Sequence, residues 1–136
     1  MAEDGHKALF RAMKRDDDGQ PVVERSARAL GVRLEGGTPD IKVHNGRVKP
    51  HEGGMSTSID PKKLAEHRRP AWLGGTGRDP LFVLGEENLG VALEARPFGA
   101  PHHFHVEPTI AMELDAYEAA SKATRPRWEE VSSWPR

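Results

Sequence analysis

Apolar positions along this chain fall in short bursts, and most of those bursts alternate with polar residues. Lys7 to Met13 (KALFRAM) puts Leu9, Arg11 and Met13 on one side of an extended strand. The strand runs into Arg15-Asp16-Asp17-Asp18-Gly19, a solvated turn. Val22 to Leu30 fits either a short helix stopped by Gly31 or an irregular segment. Ile41 to Val43 and Arg47 to Lys49 flank Asn45-Gly46, a pair suited to the left-handed backbone of a tight hairpin. Gly53 and Gly54 lead into Met55-Ser56-Thr57-Ser58-Ile59, which reads as a strand. Asp60 then serves as N-cap and Pro61 as first helical residue of a helix over about 61–67, which must end before Pro70.

Further on, Leu81 to Leu84 and Val91 to Ala95 are β-like, and His102 to Val106 makes another strand ended by Pro108. The longest helix is predicted over Thr109 to Thr124, where Ile110, Leu114, Tyr117 and Ser121 recur at helical spacing. One more helical turn is expected over 127–131. Many short strands with few helices indicate an α+β fold in a single domain over residues 1–136, with residues 1–6 flexible. The long middle lacks the helical periodicity that a doubly wound sheet requires.

Composition narrows the picture. Hydrophobic residues make up 36% of the chain, and 14 Gly and 11 Pro imply many turns around a modest core. Twenty basic side chains face 21 acidic ones, which argues against a broad nucleic-acid-binding surface while allowing a local basic patch. The absence of cysteine excludes disulfides, thiolate metal sites and cysteine nucleophiles. No run approaches the roughly 18 apolar residues of a membrane span, so no membrane partner is expected. Met1 to Lys7 lacks the apolar core of a signal peptide. The expected location is a cytoplasm, either the producer's or that of a target cell reached without a cleavable leader.

Three polar features carry candidate chemistry. Arg11 interrupts the apolar strand on its core-facing side, and a buried guanidinium requires an anionic partner or ligand unless it sits at a strand edge. Gly53-Gly54-Met55-Ser56-Thr57-Ser58 combines glycines that permit close backbone approach with Ser56 and Ser58 on one strand face and Thr57 on the other. In Pro101-His102-His103-Phe104-His105-Val106-Glu107-Pro108, alternation puts His103, His105 and Glu107 on one face. Glu107 ends that strand just before the next element, where catalytic groups often lie.

In this order, Arg11, Ser56-Thr57-Ser58 and Glu107 resemble the arginine, serine and glutamate pattern of ADP-ribosyltransferases. The wider set of segments, Leu9-Phe10-Arg11-Ala12, Leu30-Gly31-Val32-Arg33, Pro39-Asp40-Ile41, Pro50 to Ser58 and the late histidine strand with Trp128, is similar to that of small cytotoxic type VI secretion effectors with an ADP-ribosyltransferase-like fold. The resemblance implies a split, bent, mostly antiparallel sheet with NAD, as substrate, in the cleft between its halves. It implies that Arg11 grips the NAD phosphates, that Ser56 orients the nicotinamide ribose and Glu107, and that Glu107 stabilises the charge left as nicotinamide departs. Phe10, Gly54, Thr57, Ser58 and His105 complete the implied NAD-binding set. Phe10, Phe82 and Trp72 are candidates to wall the nicotinamide pocket, beside an ordinary role in packing. A macromolecular acceptor, or water in an NAD hydrolase, would take the ADP-ribose, and an immunity protein would cover the cleft in the producer. No metal is expected.

Two rivals stand beside this reading. His103, His105 and Glu107, completed by His51 or His102, form a ligand set for zinc or another metal on a cupin-like strand. Alternatively, Arg68-Arg69 and the Trp72 loop present a non-enzymatic interaction surface.

Overall fold

The structure, a computed structural model, describes residues 6–133. The flexibility expected of the first residues falls, but for His6, outside that range. The chain forms strands β1 (Ala8–Ala12), β2 (Arg47–Val48), β3 (Met55–Ser58), β4 (Leu81–Gly85), β5 (Leu93–Phe98), β6 (Ala100–Pro108) and β7 (Met112–Glu113). Helix α1 (Leu114–Ala123) and strand β8 (Glu129–Val131) follow. Six strands make one sheet in the order β5-β6-β3-β1-β4-β8, every neighbouring pair antiparallel, and β2 pairs with β7 in a separate ribbon. With a single α-helix among the described residues, the architecture is α+β.

Alternation sorts the sheet into two faces. Leu9, Met13, Met55, Phe82, Leu84, Phe104 and Val106 point to the main core, which also receives Tyr117 from α1 and Trp128 beyond it. Phe10, Leu81, Val83 and Val131 form a smaller cluster with Leu64 and Leu73 on the opposite face. Tyr117 fixes the helix to the sheet. Its hydroxyl donates to Val106 O at 2.6 Å and accepts from Met55 N–H at 3.2 Å. Two buried backbone groups of adjacent strands are thereby satisfied by one side chain.

One seam weakens the sheet. β1 shares five register pairs with β4, and β3 shares four with β6, whereas β1 and β3 share only Phe10↔Ser58. Away from that pair the two central strands part.

Of the two readings open for residues 22–30, the irregular one holds, with Val22 N–H donating to Lys14 O and Leu30 N–H to Val22 O. Several other elements differ from expectation. Asp60 does cap, accepting from Lys62 N–H at 3.0 Å, but the helix it starts is one 3-10 turn over Pro61–Lys63. Leu64 turns extended and packs beneath the sheet. The predicted helix from Thr109 begins only at Leu114, because Met112 and Glu113 pair with Val48 and Arg47; Ile110 is left exposed. Val91 is 97% exposed and the strand starts at Leu93. The last helical turn expected over 127–131 is instead edge strand β8 on β4, preceded by a 3-10 turn over Arg125–Arg127. The Asn45-Gly46 hairpin forms as expected, both residues at positive φ (53° and 74°) with His44 bridging to Arg47.

Candidate functional site

Arg11 lies on the core face of β1, in the seam where β3 has diverged, and is 5% exposed. Its guanidinium is held by main-chain oxygens. Nη1 donates to Ser56 O at 2.7 Å, Nε and Nη2 to Ala29 O at 3.1 and 2.9 Å, and Nη2 also reaches Ser26 O and Gly31 O at 3.3 Å. The anionic partner expected of a buried arginine is thus replaced by a ring of carbonyl dipoles. Burial lowers the guanidinium pKa to about 10, partly opposed by the charge of Asp40. It is therefore still cationic at neutral pH. A bidentate grip on a phosphate, as implied by the resemblance, is blocked, since Nε and Nη2 are already engaged.

Apart from Ser56 O on β3, the carbonyls come from a segment with no regular structure, which side chains fasten. Arg28 makes a two-pronged pair with Asp79, both contacts at 2.8 Å, and Arg25 a similar pair with Glu118 at 2.7 and 2.9 Å. The Arg28 guanidinium holds the Asp79 carboxyl below the usual range. Arg68 Nη1 donates to Ala27 O at 3.0 Å.

Where β1 and β3 part, a cleft of about 430 Å³ opens, lined by Arg11, Ser56, Thr57 and Ser58 on the strands. Arg33, Lys63 and Arg68 bring further positive charge, His67, His102 and His103 lie around it, and Asp40 is the one carboxylate among its lining residues. Arg11 and the Ser-Thr-Ser strand are therefore together, as the sequence suggested. The hydroxyls differ in availability. Thr57 Oγ1 donates to Phe104 O at 3.0 Å, and Ser58 Oγ donates to Asp60 O at 2.6 Å while accepting from Asp60 N–H at 3.1 Å. Ser56 is the partly exposed member of the three.

Other members of the predicted set lie elsewhere. Glu107 does not line the cleft. It sits two residues along β6 from His105, 4% exposed, accepting His51 N–H at 2.9 Å with Arg96 Nε 3.2 Å away. Its carboxylate fastens the loop at His51, whose φ of 71° is unusual for a side-chain-bearing residue. Phe10 is buried on the face opposite Arg11, Phe82 is in the main core, and neither they nor the half-exposed Trp72 line the cleft. His105 stacks on Phe98 with ring centres 4.4 Å apart, outside the cleft. The glycine pair serves the protein's own backbone: a Cβ on Gly53 would strike Asp40 O, and one on Gly54 would strike Val106 O.

The rival metal set is not assembled. Among the described residues no group of three or more histidine, aspartate or glutamate side chains is placed to hold a metal ion. His103 and His105 meet as packed rings, edge to face at 5.1 Å. Burial lowers both their pKa values, with a neighbouring imidazole adding to it in each case.

The residues that sequence reasoning did not single out for the cleft are Arg33, Asp40, Lys63 and Arg68. Arg33 and Asp40 lie in loops without periodicity; their only signals were the Leu30-Gly31-Val32-Arg33 and Pro39-Asp40-Ile41 segments. No helix among the described residues is long and apolar enough to cross a membrane. Comparison with protein-family models, with curated proteins and with solved structures finds no match.

Proposed function

We propose that this chain is a toxin enzyme that takes NAD into the cleft between β1 and β3 and breaks its nicotinamide–ribose bond. The ADP-ribose passes to water or to a macromolecular acceptor. The observation that carries the reading is the junction itself, where Arg11 meets Ser56 across the parted strands and the space beside them is lined by four cationic side chains and one carboxylate.

A dinucleotide suits such a space. The volume falls in the range of about 300–1,000 Å³ usual for small-molecule pockets. Two phosphates require concentrated positive charge, which Arg33, Lys63 and Arg68 supply at the walls while Arg11 adds its field from behind. Ser56, the accessible hydroxyl, binds the nicotinamide ribose. Arg11 acts as a positioning residue, holding β3 and the 26–31 segment as the two sides of the cleft. An immunity protein closing this cleft would carry acidic groups, and the site of action is the cytoplasm of a target cell.

Incubation of the protein with NAD labelled in the nicotinamide ring tests this directly. Release of free nicotinamide is expected, lowered about tenfold at limiting NAD in a Lys63→Ala variant, whose exposed side chain leaves the thermal transition unchanged. A second label in the adenosine half separates hydrolysis from transfer. Absence of any nicotinamide release by the wild-type chain, with NAD bound or not, rejects the proposal.

A further inference from the structure

NAD cleavage leaves a positively charged ribose carbon, and a carboxylate beside it lowers the barrier. Glu107 is held outside the cleft by His51 N–H and Arg96. Asp40 lies within its walls. Its position is built from several directions. Asp40 N–H donates to Arg33 O at 2.8 Å, Arg33 N–H donates back to Asp40 Oδ2 at 2.6 Å, and Gly54 N–H donates to Asp40 O at 2.8 Å. Gly53 packs so closely on Asp40 O that no side chain fits there, which ties Asp40 to the entry of the Ser56 strand. The carboxylate is 17% exposed; Oδ1 has the Arg33 guanidinium at 3.8 Å and accepts no hydrogen bond among the described residues. Its charge also acts on Arg11 and His105, which border or adjoin Ser56.

From this geometry we infer that Asp40 is the catalytic carboxylate of the cleft. The inference rests on the NAD-cleaving reading above. In the step, the bond from ribose C1′ to the nicotinamide nitrogen breaks, and its electron pair neutralises the pyridinium. The carboxylate of Asp40 stabilises the resulting oxocarbenium ion. A water oxygen, or a hydroxyl or amine of the acceptor, then bonds to C1′ and gives its proton to Asp40 and thence to solvent. One water consumed gives ADP-ribose, nicotinamide and one proton, with nothing oxidised or reduced.

The test compares Asp40→Asn with Glu107→Gln in the full chain. Asparagine keeps an oxygen for Arg33 N–H and removes only the charge. The expected result for Asp40→Asn is an NAD dissociation constant close to wild type and nicotinamide release lowered about 100-fold. Glu107→Gln is expected to turn NAD over at close to the wild-type rate. Undiminished release by folded Asp40→Asn, or its loss in folded Glu107→Gln alone, overturns the assignment. Should Asp40→Asn not fold, Asp40→Glu keeps charge and acceptor but displaces the carboxyl by one methylene. A drop of about tenfold then supports the assignment, and an unchanged rate overturns it. A wild-type chain that releases no nicotinamide overturns the underlying reading and this inference with it, a result distinct from active Asp40→Asn.

Discussion

Arg11 Nη1 donates to Ser56 O at 2.7 Å across the gap where β1 and β3 have ceased to pair. The side chain takes the place of a missing ladder hydrogen bond, and on its other edge it gathers Ala29, Ser26 and Gly31. Residues that are 45 positions apart in sequence are thus joined by one guanidinium.

Removing that group leaves buried carbonyls without donors, each costing about 1–3 kcal/mol and not additively. Arg11→Ala is therefore expected to lower unfolding free energy by about 3 kcal/mol, read from the urea midpoint at constant slope. Arg11→Lys should recover little of it, since one ammonium cannot serve acceptors on both sides of the cleft. A variant as stable as wild type contradicts the positioning role.

Lys63 and Arg68 behave differently if they face phosphate. Each single alanine substitution is expected to weaken NAD binding about tenfold, and binding should weaken further with added salt. Lys63 is exposed, so its removal should not move the melting temperature. Titration calorimetry at two ionic strengths checks both statements.

Tyr117→Phe tests the helix-to-sheet fastening. The phenol is buried, and burial pushes its pKa well above the ordinary value, so it stays a neutral donor at any ordinary pH. Phenylalanine leaves Val106 O and Met55 N–H unpaired without changing the packed ring. A loss of about 2–3 kcal/mol is expected by chemical denaturation, and a loss below about 0.5 kcal/mol counts against the bridge.

Gly54→Ala introduces a methyl group onto Val106 O, a main-chain atom that cannot swing aside. A fall in melting temperature of roughly 10 °C or more is expected, since overpacking against backbone costs on the order of 1–3 kcal/mol or above. Gly36→Ala is a poorer control than Gly37→Ala, because Gly36 has a φ of 99° while Gly37 has open space and no such constraint.

Acid should destabilise the fold through His103 and His105. Both have folded-state pKa values lowered by burial, so the unfolded chain binds more protons below its own value of about 6.5. More protons on the unfolded side means that stability rises with pH. The contribution is fully present above about 6.5 and is lost as pH falls below it toward the folded-state values. His105→Asn, which removes a ring facing Phe98, His103 and Glu107, should flatten the melting-temperature slope between about pH 7 and 5 relative to wild type. An equal slope in both proteins contradicts it.

Local pattern was enough to determine much of this chain. Alternation places Arg11 on the core face of β1, Ser56 and Ser58 opposite Thr57, and His103, His105 and Glu107 on one face of β6, because side-chain direction in a strand is fixed by a period of two. Asn45-Gly46 and Asp60-Pro61 declare a turn and a cap through backbone geometry that needs no distant partner. Tertiary structure decided the rest. Met112 and Glu113 lie in a stretch of helical spacing yet join β2, and Glu129–Val131, also expected as helix, joins β4, because ladder hydrogen bonds to a remote strand outweigh weak local preference. Only the fold parts β1 from β3, turns Glu107 toward His51 and carries Asp40 into the cleft. Those placements depend on contacts between segments dozens of residues apart, for which no local pattern supplies a signal.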